Sequence, residues 1–171
     1  MHIDTINITI QSPVAKAFIE AMLHDMASPS GEAAAPPVQR LTPPAIGMPW
    51  PEQGGIYAGL ARGEAGAPDA HLVLATATPP EKLAWQAAVD WAANLEHEGH
   101  ADWALPTRWE SALLYANVRE HIDTAGWYWT RTPYERDGSY AWYQGFHNGY
   151  QVNGLRKSYK ARCRAVRRLT A

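Results

Sequence analysis

The sequence predicts an α+β domain with two helices and a small mixed or antiparallel sheet, preceded by a short strand–helix segment. Three observations carry this prediction. Apolar runs of strand length, bounded by turn residues, lie on both sides of a central region. Two stretches within that region repeat apolar residues at steps of three and four. The first quarter of the chain is separated from the rest by a segment with no period at all.

The elements follow in chain order. Ile3, Ile6, Ile8 and Ile10 alternate with polar residues and read as a strand. Ser12-Pro13 is a helix start, because serine caps and proline fits the first helical position. Val14, Phe18, Met22 and Met26 then give one apolar stripe, ending near Ala27. A single strand and helix do not stabilise themselves. The expectation is therefore that residues 1–27 bury their stripe on another surface, with self-association through residues 3–27 favoured. Residues 28–49 are rich in Pro, Ala and Gly and read as a linker or extended strap. The binding domain is placed at 50–171.

That domain opens with Gly54–Leu60, a strand, and His71–Ala75, its partner, joined by a charged turn. Pro80-Glu81 starts a helical run in which Leu83, Ala87, Trp91 and Leu95 fall four apart, with Gly99 as its end. Pro106-Thr107 starts a second helix reaching about Ile122. After Gly126 the texture becomes β: Trp127–Thr130, Tyr140–Phe146 and Arg162–Arg168 read as strands. His147–Leu155, rich in Gly and Asn, reads as turns.

Eight Trp and eight Tyr against two Phe favour aromatics with a polar handle, useful in cores and on binding surfaces alike. The net charge of −2 predicts no general attraction to nucleic acid. The stretch 138–171 nevertheless holds seven Lys/Arg and no acid, so a basic end could meet phosphate, an acidic glycan or an acidic protein. Pairing of these cations with acids of the preceding helices is the favoured alternative, and nucleic acid is disfavoured as a partner. The single cysteine, Cys163, excludes a disulfide framework and reads as a small buried residue. No apolar stretch is long enough to span a bilayer, so no membrane insertion is expected. MHIDTINITI lacks the features of a secretory signal, so the chain is expected to be made in the cytoplasm.

Several blocks, in order, resemble one family. Gly99-His100-Ala101-Asp102-Trp103-Ala104-Leu105-Pro106-Thr107-Arg108, with Glu110, is similar to its signature, Ala104 standing where arginine is usual. Trp127–Thr132, Tyr140-Ala141-Trp142, Gly145-Phe146 and Arg164–Arg168 resemble its later blocks. The family is the Lcl C-terminal-like domain, and the resemblance covers about residues 50–169. It implies a C-type-lectin-like fold and binding of glycans, polyanions or proteins rather than catalysis. The signature also has a physical reading. Thr107 caps a helix with Glu110 as its capping-box partner, Asp102 holds backbone donors in the loop ahead, and Trp103 fills the core.

No enzymatic role and no cofactor are expected. His97, Glu98, His100 and Asp102 are the one cluster resembling a metal site, but they straddle a helix end and a Gly turn rather than sharing a helix face. No nucleophile-elbow or phosphate-loop motif occurs, and one cysteine supplies no redox pair.

The late strands and loops have the composition of a paratope. The ligand-binding residues assigned there are Tyr134, Tyr143, His147, Asn148, Tyr150, Asn153, Arg156 and Lys157. Strand period puts Tyr140, Trp142, Gln144 and Phe146 on one side of their strand; Trp142 and Phe146 are assigned to the core, and Tyr143 is exposed or half-exposed. The leading expectation is a phage- or prophage-encoded, virion-associated protein that recognises a cell-surface glycan or protein. The alternative is an intracellular module that binds and blocks a host protein, such as a defence component.

Overall fold

The computed structural model describes residues 42–171. The strand–helix and self-association expectations for residues 3–27, and most of the linker, lie outside the described residues. Among the described residues the strands are β1 (Pro49–Trp50), β2 (Gly55–Ala61), β3 (Ala70–Ala75), β4 (Trp127–Pro133), β5 (Tyr140–Gly145), β6 (Gln151–Arg156) and β7 (Val166–Thr170). The α-helices are α1 (Trp85–Ala93) and α2 (Arg108–Val118). The α+β class with two helices is as the sequence predicts. The strands, however, form two antiparallel sheets, β1-β2-β3-β7 and β4-β5-β6, rather than one.

The near-continuous apolar runs of β2 and β3 have a simple cause, because their sheet is buried on both faces. Tyr57, Val73 and Ala75 join Trp103, Leu105, Trp129 and the α1 residues Ala88 and Ala92 in one core. Ile56, Ala58, Leu72 and Leu74 point the other way, into a second core with Leu114 and Val118 of α2, Tyr128 and Phe146. The ends of the domain meet where β3 pairs with β7, Leu74 opposite Val166. Large rings fill and flank the cores, and three of their indole N–H groups find carbonyl acceptors. Trp129 Nε1 donates to the Leu83 carbonyl at 2.9 Å, Trp85 Nε1 to Thr130 at 2.8 Å and Trp103 Nε1 to His100 at 3.0 Å.

Both helices end earlier than the sequence expectation, at Ala93 and Val118, and three further differences have a non-local reason. The first helix begins at Trp85, not Pro80, because Leu83 is paired in both directions with Ala161. β6 forms inside the segment read as turns, hydrogen-bonded to β5 with a register shift between Ala141 and Tyr143. The last strand runs Val166–Thr170 rather than Arg162–Arg168, because Arg162 is engaged with Trp127 and Trp129 of β4 instead.

The last residues of the supposed linker belong to the domain. Gly47 N–H donates to the Tyr57 carbonyl (2.9 Å), and Tyr57 N–H donates back to Met48 (3.0 Å). No helix among the described residues is long and apolar enough to cross a membrane.

Candidate functional site

The signature loop is a piece of scaffolding. His97 and His100 exchange backbone hydrogen bonds across a tight turn whose central residues, Glu98 (φ 50°) and Gly99 (φ 77°), both adopt left-handed backbone. Three side chains of the suspected metal cluster are drawn elsewhere. His97 Nε2 lies 2.8 Å from Thr76 Oγ1, and His100 Nε2 lies 3.1 Å from the Glu52 carbonyl. Asp102 pairs with Arg167. Burial works to raise the Asp102 pKa, but the hydrogen bond and charge of Arg167 outweigh it and hold the carboxyl below its ordinary value. Trp103 fills the core, 3% exposed.

Thr107 and Glu110 form the capping box that the sequence predicts, each side chain bonded to the other residue's backbone N–H. The box does further work. Thr107 Oγ1 donates to Glu64 Oε1 (2.8 Å), and Arg168 donates twice to the Glu110 carboxylate.

The cations of the C-terminal block are engaged within the domain. Arg162 pairs with Asp123 at 2.8 Å, Arg167 with Asp102, and Arg168 with Glu110. Arg164 is buried, and its terminal nitrogens donate to the carbonyls of His121 and Ala75. Cys163 is buried beside it, and desolvation pushes its thiol up to about 12, so it stays protonated.

The residues assigned to ligand binding fall into three places. Tyr143 is half-buried on the core side of its sheet, edge-on to Trp127 (4.8 Å) and Trp129 (6.1 Å), and burial raises its hydroxyl pKa. His147 stands edge-on to Trp127 at 5.7 Å. The Asn148 side chain accepts from Tyr150 N–H (3.1 Å), which shapes the turn that projects Tyr150, 67% exposed. Asn153 is half-buried within β6. At the far end of that strand Arg156 lies over the Tyr140 ring (5.2 Å) and Lys157 over the Trp85 ring (4.1 Å). At about 3.3 Å per residue, Tyr150 and Arg156 stand about 20 Å apart, too far to share one small ligand. Tyr134 sits in a third place, edge-on to Trp142 at 6.2 Å.

That third place holds what the sequence reading missed. Arg108, the first residue of α2, is stacked between two indoles, with its guanidinium carbon 3.8 Å from the Trp142 ring centre and 4.7 Å from that of Trp109. Trp142, expected in the core, is half-buried and lies outside both core clusters. Trp109 is 58% exposed. Trp142, Arg108 and Trp109 thus form a stack, with Tyr134 edge-on to its Trp142 end. From Trp109 an apolar groove of about 570 Å³ continues between α2 and the chain leaving β2, lined by Leu60, Ala112, Leu113 and Ala116. A signal was present in the sequence. With Thr107 as the cap, helix period sends Ser111, Leu114 and Val118 inward and leaves Trp109, Ala112 and Ala116 on another face.

A family model described as the Lcl C-terminal domain matches residues 48–167. No curated protein matches the chain.

Proposed function

Because the chain belongs to the Lcl C-terminal domain family, we propose that it is a non-enzymatic binding module with a C-type-lectin-like fold, recognising a glycan or protein at a cell surface. The observation that carries this reading is the stack Trp109–Arg108–Trp142, flanked by an edge-on Tyr134, with its exposed Trp109. A tryptophan of that exposure adds nothing to the core, and exposed aromatic and arginine anchors are where binding energy concentrates. An indole face offers a flat apolar platform to sugar C–H groups, while the adjacent guanidinium supplies fixed donors to hydroxyl or acidic oxygens. Stacking holds Arg108 in place, which lowers the entropy lost on binding. A phage- or prophage-encoded, virion-associated role fits a module of this kind.

The groove beside Trp109 favours a second reading, an intracellular module that blocks a host protein. Its lining of Leu60, Leu113 and two alanines suits an apolar side chain better than a sugar.

Labelled protein is incubated with intact candidate host cells and, separately, with their lysate. Under the leading reading the wild type binds cells and Trp109→Ala does not. Capture of one stoichiometric lysate protein, lost in Leu60→Ser and without cell binding, supports the second. Cell binding that survives Trp109→Ala but is lost in Tyr150→Ala moves the site to the β5–β6 turn. Binding to neither preparation sinks both readings.

A further inference from the structure

A polar cleft of about 400 Å³ lies away from the Trp109 surface, between the Thr78–Lys82 segment and the Arg162–Arg164 segment. Its volume is in the range of small-molecule sites. Pro79 and Pro80 form part of one wall, and Tyr128 and Arg164 part of the other. The charges around it are unevenly matched. Asp123 is taken by Arg162 at 2.8 Å, and Glu81 lies 3.6 Å from Lys160. Lys82, exposed at the rim, has no carboxylate partner among the described residues.

Arg164 is the anomaly. It is only 8% exposed, yet no carboxylate meets it. Two carbonyl oxygens accept from its terminal nitrogens, and its Nε is buried with no hydrogen-bond partner among the described residues. Burial depresses its pKa, the mark of a cation poorly compensated for lost water. A guanidinium remains charged even so. Buried charges are normally paired, and an unpaired buried N–H is costly. An oxyanion in the cleft would supply the missing opposite charge.

We propose that this cleft binds a small carboxylate- or phosphate-bearing molecule, with Arg164 as its counter-ion and Lys82 as a second cation at the rim. The inference stands apart from the binding surface at Trp109, so either can fail without the other.

The test uses the full chain, labelled with nitrogen-15, and follows the Arg164 Nε–H resonance while sodium phosphate or sodium acetate is titrated at constant ionic strength. The expected result is a saturable shift of that resonance, accompanied by a higher Tm. Saturation by phosphate alone assigns a phosphate group, by acetate alone a carboxylate, and by both a general oxyanion site. Lys82→Ala, an exposed change that leaves the fold intact, is expected to weaken the response by about two- to fivefold, the reach of one screened charge. A resonance that stays fixed with both anions, or drifts linearly without saturating, overturns the proposal. Because the wild-type protein gives the decisive readout, the result does not depend on whether an Arg164 variant folds.

Discussion

The Glu110 carboxylate receives both the Nε and an Nη of Arg168 while also accepting the backbone N–H of Thr107. One buried side chain therefore caps the helix that carries Trp109 and ties that helix to the last strand. The signature block and the arginine-rich C-terminal block, far apart in sequence, are two halves of one structural joint.

Removing that side chain has a large expected effect. Glu110→Ala loses the cap and leaves Arg168 without its carboxylate, which together cost about 3–5 kcal/mol, the scale of breaking a buried pair. Glu110→Gln keeps an acceptor for the Thr107 N–H and is expected to cost less. Urea denaturation of the two variants, compared with wild type, checks the order. Equal losses would show that the cap contributes little.

Cys163 is expected to be chemically silent in the folded protein. With its pKa pushed to about 12 by burial, the thiolate fraction at pH 8 is about one in ten thousand, and the sulfur is shielded as well. Iodoacetamide labelling at pH 8 therefore proceeds slowly in the native protein and rapidly after denaturation, as mass spectrometry over time reads directly. Fast native labelling would mean that the Cys163 segment opens readily.

How much was readable in advance follows the reach of each interaction. The Thr107–Glu110 box spans four residues, so its chemistry is complete within the sequence window that shows it. The β2 and β3 runs were legible because burial on both faces writes itself as continuous apolarity. Leu83 was not, since the strand-like pairing that delays α1 comes from Ala161. β6 was hidden because Gln151-Val152-Asn153-Gly154 has weak strand propensity and is held by its pairing to β5. At the candidate site, composition found Tyr134 but not its neighbours. Strand period assigns Trp142 inward, whereas the ring lies half-buried against a guanidinium from a helix elsewhere in the sequence.

Asp102 provides a pH dependence with a definite sign. Its folded pKa is held below the ordinary carboxylate value by Arg167, against the opposing effect of burial. A depressed carboxylate contributes stability that is fully present above the unfolded pKa of about 3.9 and is lost as pH falls through the folded value. The stability advantage of wild type over Asp102→Asn should therefore be constant from pH 7 to about 5 and shrink below about 4. Thermal unfolding across that range tests it, and a gap that widens in acid would reverse the assignment.

Trp109 and Trp129 should behave as opposites. Trp129 is wholly buried, and Trp129→Ala should cost about 3–5 kcal/mol through the cavity it leaves. Trp109 is 58% exposed, so Trp109→Ala should change stability by no more than about 1 kcal/mol, mainly through the lost stacking on Arg108. A large stability loss in Trp109→Ala would make its ring a structural element and weaken the case for a binding platform.

Gly149 links the β5–β6 turn to α2, and a pair of substitutions separates the two reasons it is glycine. Its φ of 78° is left-handed, and an added Cβ would lie 2.6 Å from Cε1 of Tyr115. The backbone penalty for a non-glycine residue there is about 1–2 kcal/mol and the overlap adds to it, so Gly149→Ala should cost about 2–4 kcal/mol in all. Tyr115→Ala removes the overlapping ring but not the backbone penalty. If both reasons operate, the double variant loses less than the sum of the singles, and the difference measures the steric part. If the losses simply add, the ring moves aside without cost and the left-handed backbone alone requires glycine. Denaturation of the four proteins in urea gives the cycle. Near-UV circular dichroism reports whether the Tyr115–Phe146 ring contact, 6.2 Å between centroids, survives in Gly149→Ala.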